Sequence, residues 1–237
     1  MLFDLINAAR SGNAEELKWA VVGFVLSLPI ILLILCVHEV AHGFVANKLG
    51  DPTAKSLGRL TLNPLKHLDP FGFLAMLCVG IGWANPVPIN TRYFKKPKRD
   101  MAICAAAGPL SNILMGLISM ILLRLVFLFI NLNPELFVEH YNVFYAIILL
   151  FERAAQLNIV FAVFNLFPIP PLDGSKILYM FLPNNILYKI LPYERYISLG
   201  FLALILLDSF LPVSIISTVI WFFADLILGL FELILFF

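Results

Sequence analysis

Charge is what this chain has least of. Only 13% of its 237 residues are Asp, Glu, Lys or Arg, where a soluble domain carries about one-quarter. The deficit argues against a water-soluble globular domain, because the missing charge is replaced by apolar side chains that reach 61% of the chain. Cysteine is also scarce. Cys36, Cys78 and Cys104 are odd in number, widely spaced and in no CxxC pair. That excludes a disulfide framework and a zinc ribbon, and leaves them as small packing residues. The formal net charge of +1 points to no particular partner, and nucleic acid is not among those expected. The first apolar run begins too far in and lacks a small-residue cleavage site, so a removed leader is not expected. No internal repeat, low-complexity tract or appended soluble domain is expected from the sequence.

What is present is apolar sequence in long blocks, the mark of membrane-spanning helices. The first runs from Trp19 into a histidine motif and stops at Gly50–Asp51–Pro52. Others cover Met101–Ile130, Tyr141–Phe167, Tyr196–Leu211 and Val213–Phe237. Phe71–Trp83 is apolar but too short to span, and reads as a re-entrant or interfacial segment. Thr53–Asn63 alternates as one strand does, and Asn85–Phe94, with its prolines, reads as an edge strand. The expected fold is therefore an all-α polytopic membrane protein. It has about five transmembrane helices, a short re-entrant or interfacial segment and a small β element in the cytoplasmic loop. A single membrane-embedded domain over 1–237 is expected. It divides into a motif helix (19–49), a loop (50–100), core spans (101–174) and a C-terminal hairpin or gate (175–237).

Nine of the sixteen Lys and Arg residues fall between Lys48 and Asp100, and none between 131 and 140. By the positive-inside rule the N-terminus is outside, and the loop and C-terminus are cytoplasmic. Arg124, Glu152 and Arg153 are charges inside spans, with Arg124 and Glu152 at a depth that allows a structural ion pair.

His38-Glu39-Val40-Ala41-His42 is an HExxH. Four residues make about one helical turn, so both imidazoles share a face and can reach one Zn²⁺. Glu39, about 100° around the helix, can take a proton from zinc-bound water. Ionisable groups inside a membrane cost roughly 2.5–3.5 kcal/mol each by insertion scales, so their presence points to function. Two histidines leave the site short of a ligand. His67 lies in the polar loop and His140 on the opposite membrane side. Asp173 follows Pro168, Pro170 and Pro171, which forbid a regular helix and leave an unwound segment that can present it from the cytoplasmic side. A different zinc peptidase would use Glu152 or Glu194 instead. A zinc-binding scaffold or transporter without proteolysis is the non-enzyme alternative.

HEVAH at 38–42, GPLSN at 108–112 and NLFPIPPLDG at 165–174, in that order, resemble the site-2 protease family of intramembrane zinc metalloproteases. Gly58–Gly72 and Gly82–Asn90 are similar to its compact bacterial form without PDZ or CBS domains. The resemblance implies one Zn²⁺ per chain held by His38, His42 and Asp173, with Glu39 as catalytic acid/base. It implies that Asn165 holds substrate or stabilises the oxyanion, and that Asn112 supports the site. Gly108 and Pro109 shape their helix. The implied substrate is a transmembrane or membrane-anchored protein within the lipid bilayer. Oligomeric state stays open.

Overall fold

Asn13 separates the first two helices. The computed structural model describes residues 2–70, 72, 85–208 and 214–236; in it α1 covers Leu2–Ser11 and α2 covers Ala14–Lys48. Asn13 Oδ1 accepts from the Glu15 and Glu16 N–H groups, satisfying donors that a helix start leaves unpaired. The 35 residues of α2 extend about 52 Å. That exceeds the roughly 30 Å hydrocarbon core, so the helix projects beyond it. The order continues with α3 (Thr53–Ser56), α4 (Pro97–Leu132), α5 (Pro134–Glu139), α6 (Tyr141–Asn165), α7 (Asp173–Phe181), α8 (Asn184–Ile190), α9 (Glu194–Asp208) and α10 (Ile215–Phe236).

Among the described residues, five stretches are long and apolar enough to cross a membrane: Ala14–Lys48, Pro97–Leu132, Tyr141–Asn165, Asn184–Asp208 and Ile215–Leu235. The protein is a multi-pass membrane protein, and its helices pack as membrane helices do. Lipid tails are as apolar as leucine, so close approach of small residues drives association. On α4 the buried residues Cys104, Gly108, Asn112 and Gly116 recur every fourth position. This narrow face lies against α2 and α6, and α7 folds back onto α4. Ile220 and Ala224 of α10 cover Ile159 and Val163 of α6. Leu132, Leu207, Phe222 and Ile234 point outward and exposed, as suits surfaces in contact with lipid. Asp208, with no role assigned from sequence, caps α10: its carboxylate accepts from the N–H groups of Ile215 and Ile216 at 2.9 and 3.1 Å.

The expected β element is not there. Among the described residues no strand forms, and Leu68 alone makes an isolated bridge. Thr53–Asn63 starts instead as α3, because Asp51 Oδ1 accepts from the Thr53 N–H at 3.0 Å. The chain then turns at Gly58, whose φ is +63, a value that other residues rarely adopt. The Asn85–Phe94 segment is irregular to Asn90 and ends in a 3₁₀ turn over Thr91–Tyr93. Its N–H groups have other destinations: Asn85 donates to His67 O (2.7 Å), Val87 to Glu39 Oε2 (2.8 Å) and Asn90 to Asp51 Oδ2 (2.6 Å). Pro86 and Pro88 have no N–H to offer. The stretch read as an edge strand thus makes individual contacts, not a ladder. The re-entrant segment expected at Phe71–Trp83 lies outside the described residues except for Gly72.

Candidate metal centre

The helical repeat of α2 brings His38 and His42 to one buried face, with their Nε2 atoms 3.0 Å apart. The third group arrives from far along the chain. Pro168, Pro170 and Pro171 end the run of α6, and the chain stays irregular until α7 begins at Asp173. Leu172, just before it, is extended at φ −71, ψ 153. The residue after Asp173 has to be glycine: a Cβ on Gly174 would collide with the carbonyl oxygens of Leu166 and Phe167. This tight return places Asp173 Oδ2 3.1 Å from His38 Nε2 and 3.2 Å from His42 Nε2.

Three potential ligand atoms thus form a nearly equilateral triangle. Tetrahedral zinc with bonds of about 2.0–2.1 Å would separate its ligand atoms by about 3.3–3.4 Å, close to the edges observed. The outer ring nitrogens explain which atoms face inward. His42 Nδ1 donates to the Cys104 carbonyl at 2.7 Å, and His38 Nδ1 donates to Asn112 Oδ1 at 2.9 Å. With the ring protons held on Nδ1, both Nε2 atoms present lone pairs. Asp173 Oδ2 is a buried oxygen with no hydrogen-bond donor aimed at it. Lone pairs from two imidazoles and a carboxylate that meet out of water repel one another unless a cation lies between them. The donor set fits zinc by type, by spacing and by this unmet electrostatic demand. Among the described residues, His38, His42 and Asp173 are the group so placed.

Neighbouring helices shape the space. Gly108 of α4 lies directly beneath the rings, and a Cβ there would be 2.5 Å from His42 Nε2 and 2.6 Å from His38 Cε1. The Phe161 ring of α6 packs edge-on to His38, with centroids 5.1 Å apart. Glu39 is half-buried, and its Oε2 accepts from the Val87 N–H. Asn165, the last residue of α6, donates from Nδ2 to Phe161 O at 3.0 Å. It therefore lies one turn beyond the ring that touches His38. No described hydrogen bond joins it to the imidazoles.

The other candidates are elsewhere. His67 is buried with Nε2 2.8 Å from Thr61 O. His140 is exposed beside Glu139. Glu194 pairs with Lys176, and Glu152 is exposed on α6. A hollow of about 250 Å³ between α4 and α6, lined by Leu125, Phe129, Phe144 and Phe151 among others, holds no polar group to do chemistry. Sequence reasoning missed the Cys104 carbonyl and the Val87 N–H. Both are backbone groups, which no residue type announces. It also passed over Asn158, although an amide within a membrane span is a visible signal.

Comparison with known proteins adds to this geometry. The model of Peptidase family M50 matches residues 26–207. The chain is 41% identical over 181 residues to a Bacillus subtilis protein named "Putative zinc metalloprotease YwhC", covering 75% of this chain and 80% of that one. It is 29% identical over 208 residues to "Putative zinc metalloprotease Rip2" of Mycolicibacterium smegmatis, covering 84% and 73%. It is 28% identical over 178 residues to "Zinc metalloprotease MJ0392" of Methanocaldococcus jannaschii, covering 75% and 39%. No solved structure matches at a significant level.

Proposed function

The chain belongs to peptidase family M50, the site-2 protease family, and is an intramembrane zinc metalloprotease; from that premise we propose which of its residues do the work. His38, His42 and Asp173 hold the zinc, Glu39 is the acid/base and Asn165 assists at the reacting carbonyl. The observation that carries this reading is the triangle of Nε2, Nε2 and Oδ2 atoms with edges of 3.0, 3.1 and 3.2 Å.

When bound there, zinc supplies Lewis acidity, polarising a carbonyl and making water a nucleophile near pH 7. Glu39 accepts the proton of the attacking water and returns it to the departing amine nitrogen. The Val87 N–H at 2.8 Å holds one oxygen of that carboxylate, and the other oxygen is the one assigned to the proton. Asn165 has two amide hydrogens; one is engaged by Phe161 O, and the second is free to donate to a developing oxyanion.

The substrate is a transmembrane or membrane-anchored protein. A spanning helix satisfies its own backbone hydrogen bonds and shields its carbonyls, so it unwinds before a bond can be cut. Water reaches the site from the cytoplasm, the side given by the lysines and arginines of residues 48–100; the N-terminus is then outside. The whole chain works as one membrane-embedded unit. The C-terminal hairpin of α9 and α10 is the gate for substrate, a reading supported by the almost wholly unburied apolar surface of α9.

Purification in detergent, zinc analysis and cleavage of a panel of transmembrane helices test the assignment. Glu39→Gln retains zinc and loses cleavage by about 10²–10⁴-fold, whereas His38→Ala and Asp173→Ala lose zinc. Cleavage by Glu39→Gln at the parent rate, or full zinc in Asp173→Ala, overturns it.

A further inference from the structure

A buried amide relay runs behind His38, away from the metal side. Asn112 is fully buried and Asn158 is 3% exposed. Asn112 Oδ1 accepts from His38 Nδ1 at 2.9 Å, and Asn112 Nδ2 donates to Asn158 Oδ1 at 3.4 Å. Asn158 Nδ2 in turn donates to the Ala154 carbonyl at 2.8 Å. The far end of this chain has a direction that cannot be reversed, because a carbonyl oxygen only accepts. It obliges Asn158 to present its nitrogen to Ala154 and its oxygen to Asn112. Asn112 must then turn its nitrogen toward Asn158 and its oxygen toward His38. An oxygen facing Nδ1 keeps the ring proton there and leaves Nε2 bare.

We propose that Asn158 is a positioning residue for zinc, selecting the metal-binding tautomer of His38 through the orientation of the Asn112 amide. The claim rests on the reading that His38 is a zinc ligand, and it goes beyond the ligands and their immediate partners. Without the acceptor at 158, Asn112 can rotate by half a turn and offer N–H groups to His38 Nδ1. The ring proton then moves to Nε2, the atom the metal needs. His42 has no such dependence, since Cys104 O fixes its Nδ1 directly. The two imidazoles are therefore oriented by different devices: one by a carbonyl in contact, the other by a carbonyl two amides away.

The test measures zinc dissociation constants by chelator competition on the full chain in detergent, with circular dichroism to confirm folding. Asn158→Leu weakens zinc by about 10–100-fold, the range for groups that orient a metal-binding histidine. Asn158→Ala does the same without added bulk and serves if the leucine variant misfolds. Asn158→Asp, whose carboxyl stays protonated away from water, donates its O–H to Ala154 O in place of the lost amide, keeps an accepting oxygen for Asn112 and stays within about threefold of the parent. In an Asn112→Leu background, Asn158→Leu adds nothing further, because the effect passes through Asn112. A residue that only packs would instead lower the melting temperature with zinc affinity intact, or add its effect independently of Asn112. Either result overturns the proposal, as does loss of zinc in Asn158→Asp equal to that in Asn112→Leu. His38→Ala separates the two levels: if it retains zinc, the ligand assignment itself is wrong. If it loses zinc while Asn158→Leu does not, only the relay falls.

Discussion

A single methyl group at residue 108 tests whether the imidazoles occupy the place described. In Gly108→Ala the new Cβ would sit 2.5 Å from His42 Cε1 and Nε2 and 2.6 Å from His38 Cε1, against an ordinary contact distance of 3.4 Å or more. The rings, the Cβ or the helix must yield by about 0.9 Å in total. Metal sites tolerate roughly 0.2 Å in ligand distance, so even a shared adjustment misplaces one or both nitrogens. We expect zinc affinity to drop by at least about 100-fold, which is about 2.8 kcal/mol. Gly116→Ala provides the matched control on the same helix face. Its Cβ would lie 2.7 Å from Ile159 Cδ1 and 3.0 Å from Ile159 Cγ1, an overpacking against a side chain that costs roughly 1–3 kcal/mol of stability. That variant loses melting temperature and keeps its zinc affinity. Chelator competition together with thermal melts in detergent reads both quantities. A folded Gly108→Ala protein that binds zinc within threefold of the parent would refute the reasoning.

Three further outcomes are expected. Gly174→Ala puts a Cβ onto the backbone oxygens of Leu166 and Phe167, which cannot move as a side-chain tip can. It should abolish zinc binding even where helix content by circular dichroism is retained, and normal zinc content would contradict the tight return before α7. Asp51 is buried, which pushes its carboxyl up, but donors from Thr53 and Asn90 outweigh that and hold it below the usual carboxylate range. A depressed folded pKa means that its contribution is complete above the unfolded value of about 3.9 and is lost as pH falls through the folded value. The melting-temperature gap between parent and Asp51→Asn should therefore be constant near neutrality and close below about pH 4; a gap that widens there would be the wrong sign. Finally, removing zinc should lower the melting temperature, since free zinc at 100 times its dissociation constant stabilises by about 2.7 kcal/mol. Restoring zinc should reverse the change in the parent and do nothing in Asp173→Ala.

Much of the site was legible in the chain itself because it depends on short-range geometry. Two histidines four apart share a helix face wherever the helix forms, and the apolar blocks around them require helices in a membrane. The proline run at 168–171 dictates that a span ends there. These are statements about neighbours in sequence, and the five spans and the HExxH followed from them. The β element failed for a related reason. Alternation at 53–63 and prolines at 85–94 describe a local pattern, but the partners of those N–H groups are the carboxylates of Glu39 and Asp51 and the carbonyl of His67. A strand needs a ladder, and nothing in a local pattern says whether a side chain will take its place.

Residue types and their spacing determined the spans, the paired imidazoles and the break before Asp173. Only the tertiary structure decided that Asp173 closes the triangle, that Gly108 leaves space for two rings, and that Cys104 O and the Asn112–Asn158 relay orient them. The physical reason is that a hydrogen bond or a lone-pair cluster depends on distances of a few tenths of an ångström. Those distances arise when helices pack through their small faces and bring together residues far apart in sequence, His42 with Cys104 62 positions on and His38 with Asn112 74 positions on, and local propensity carries no information about how closely they will approach.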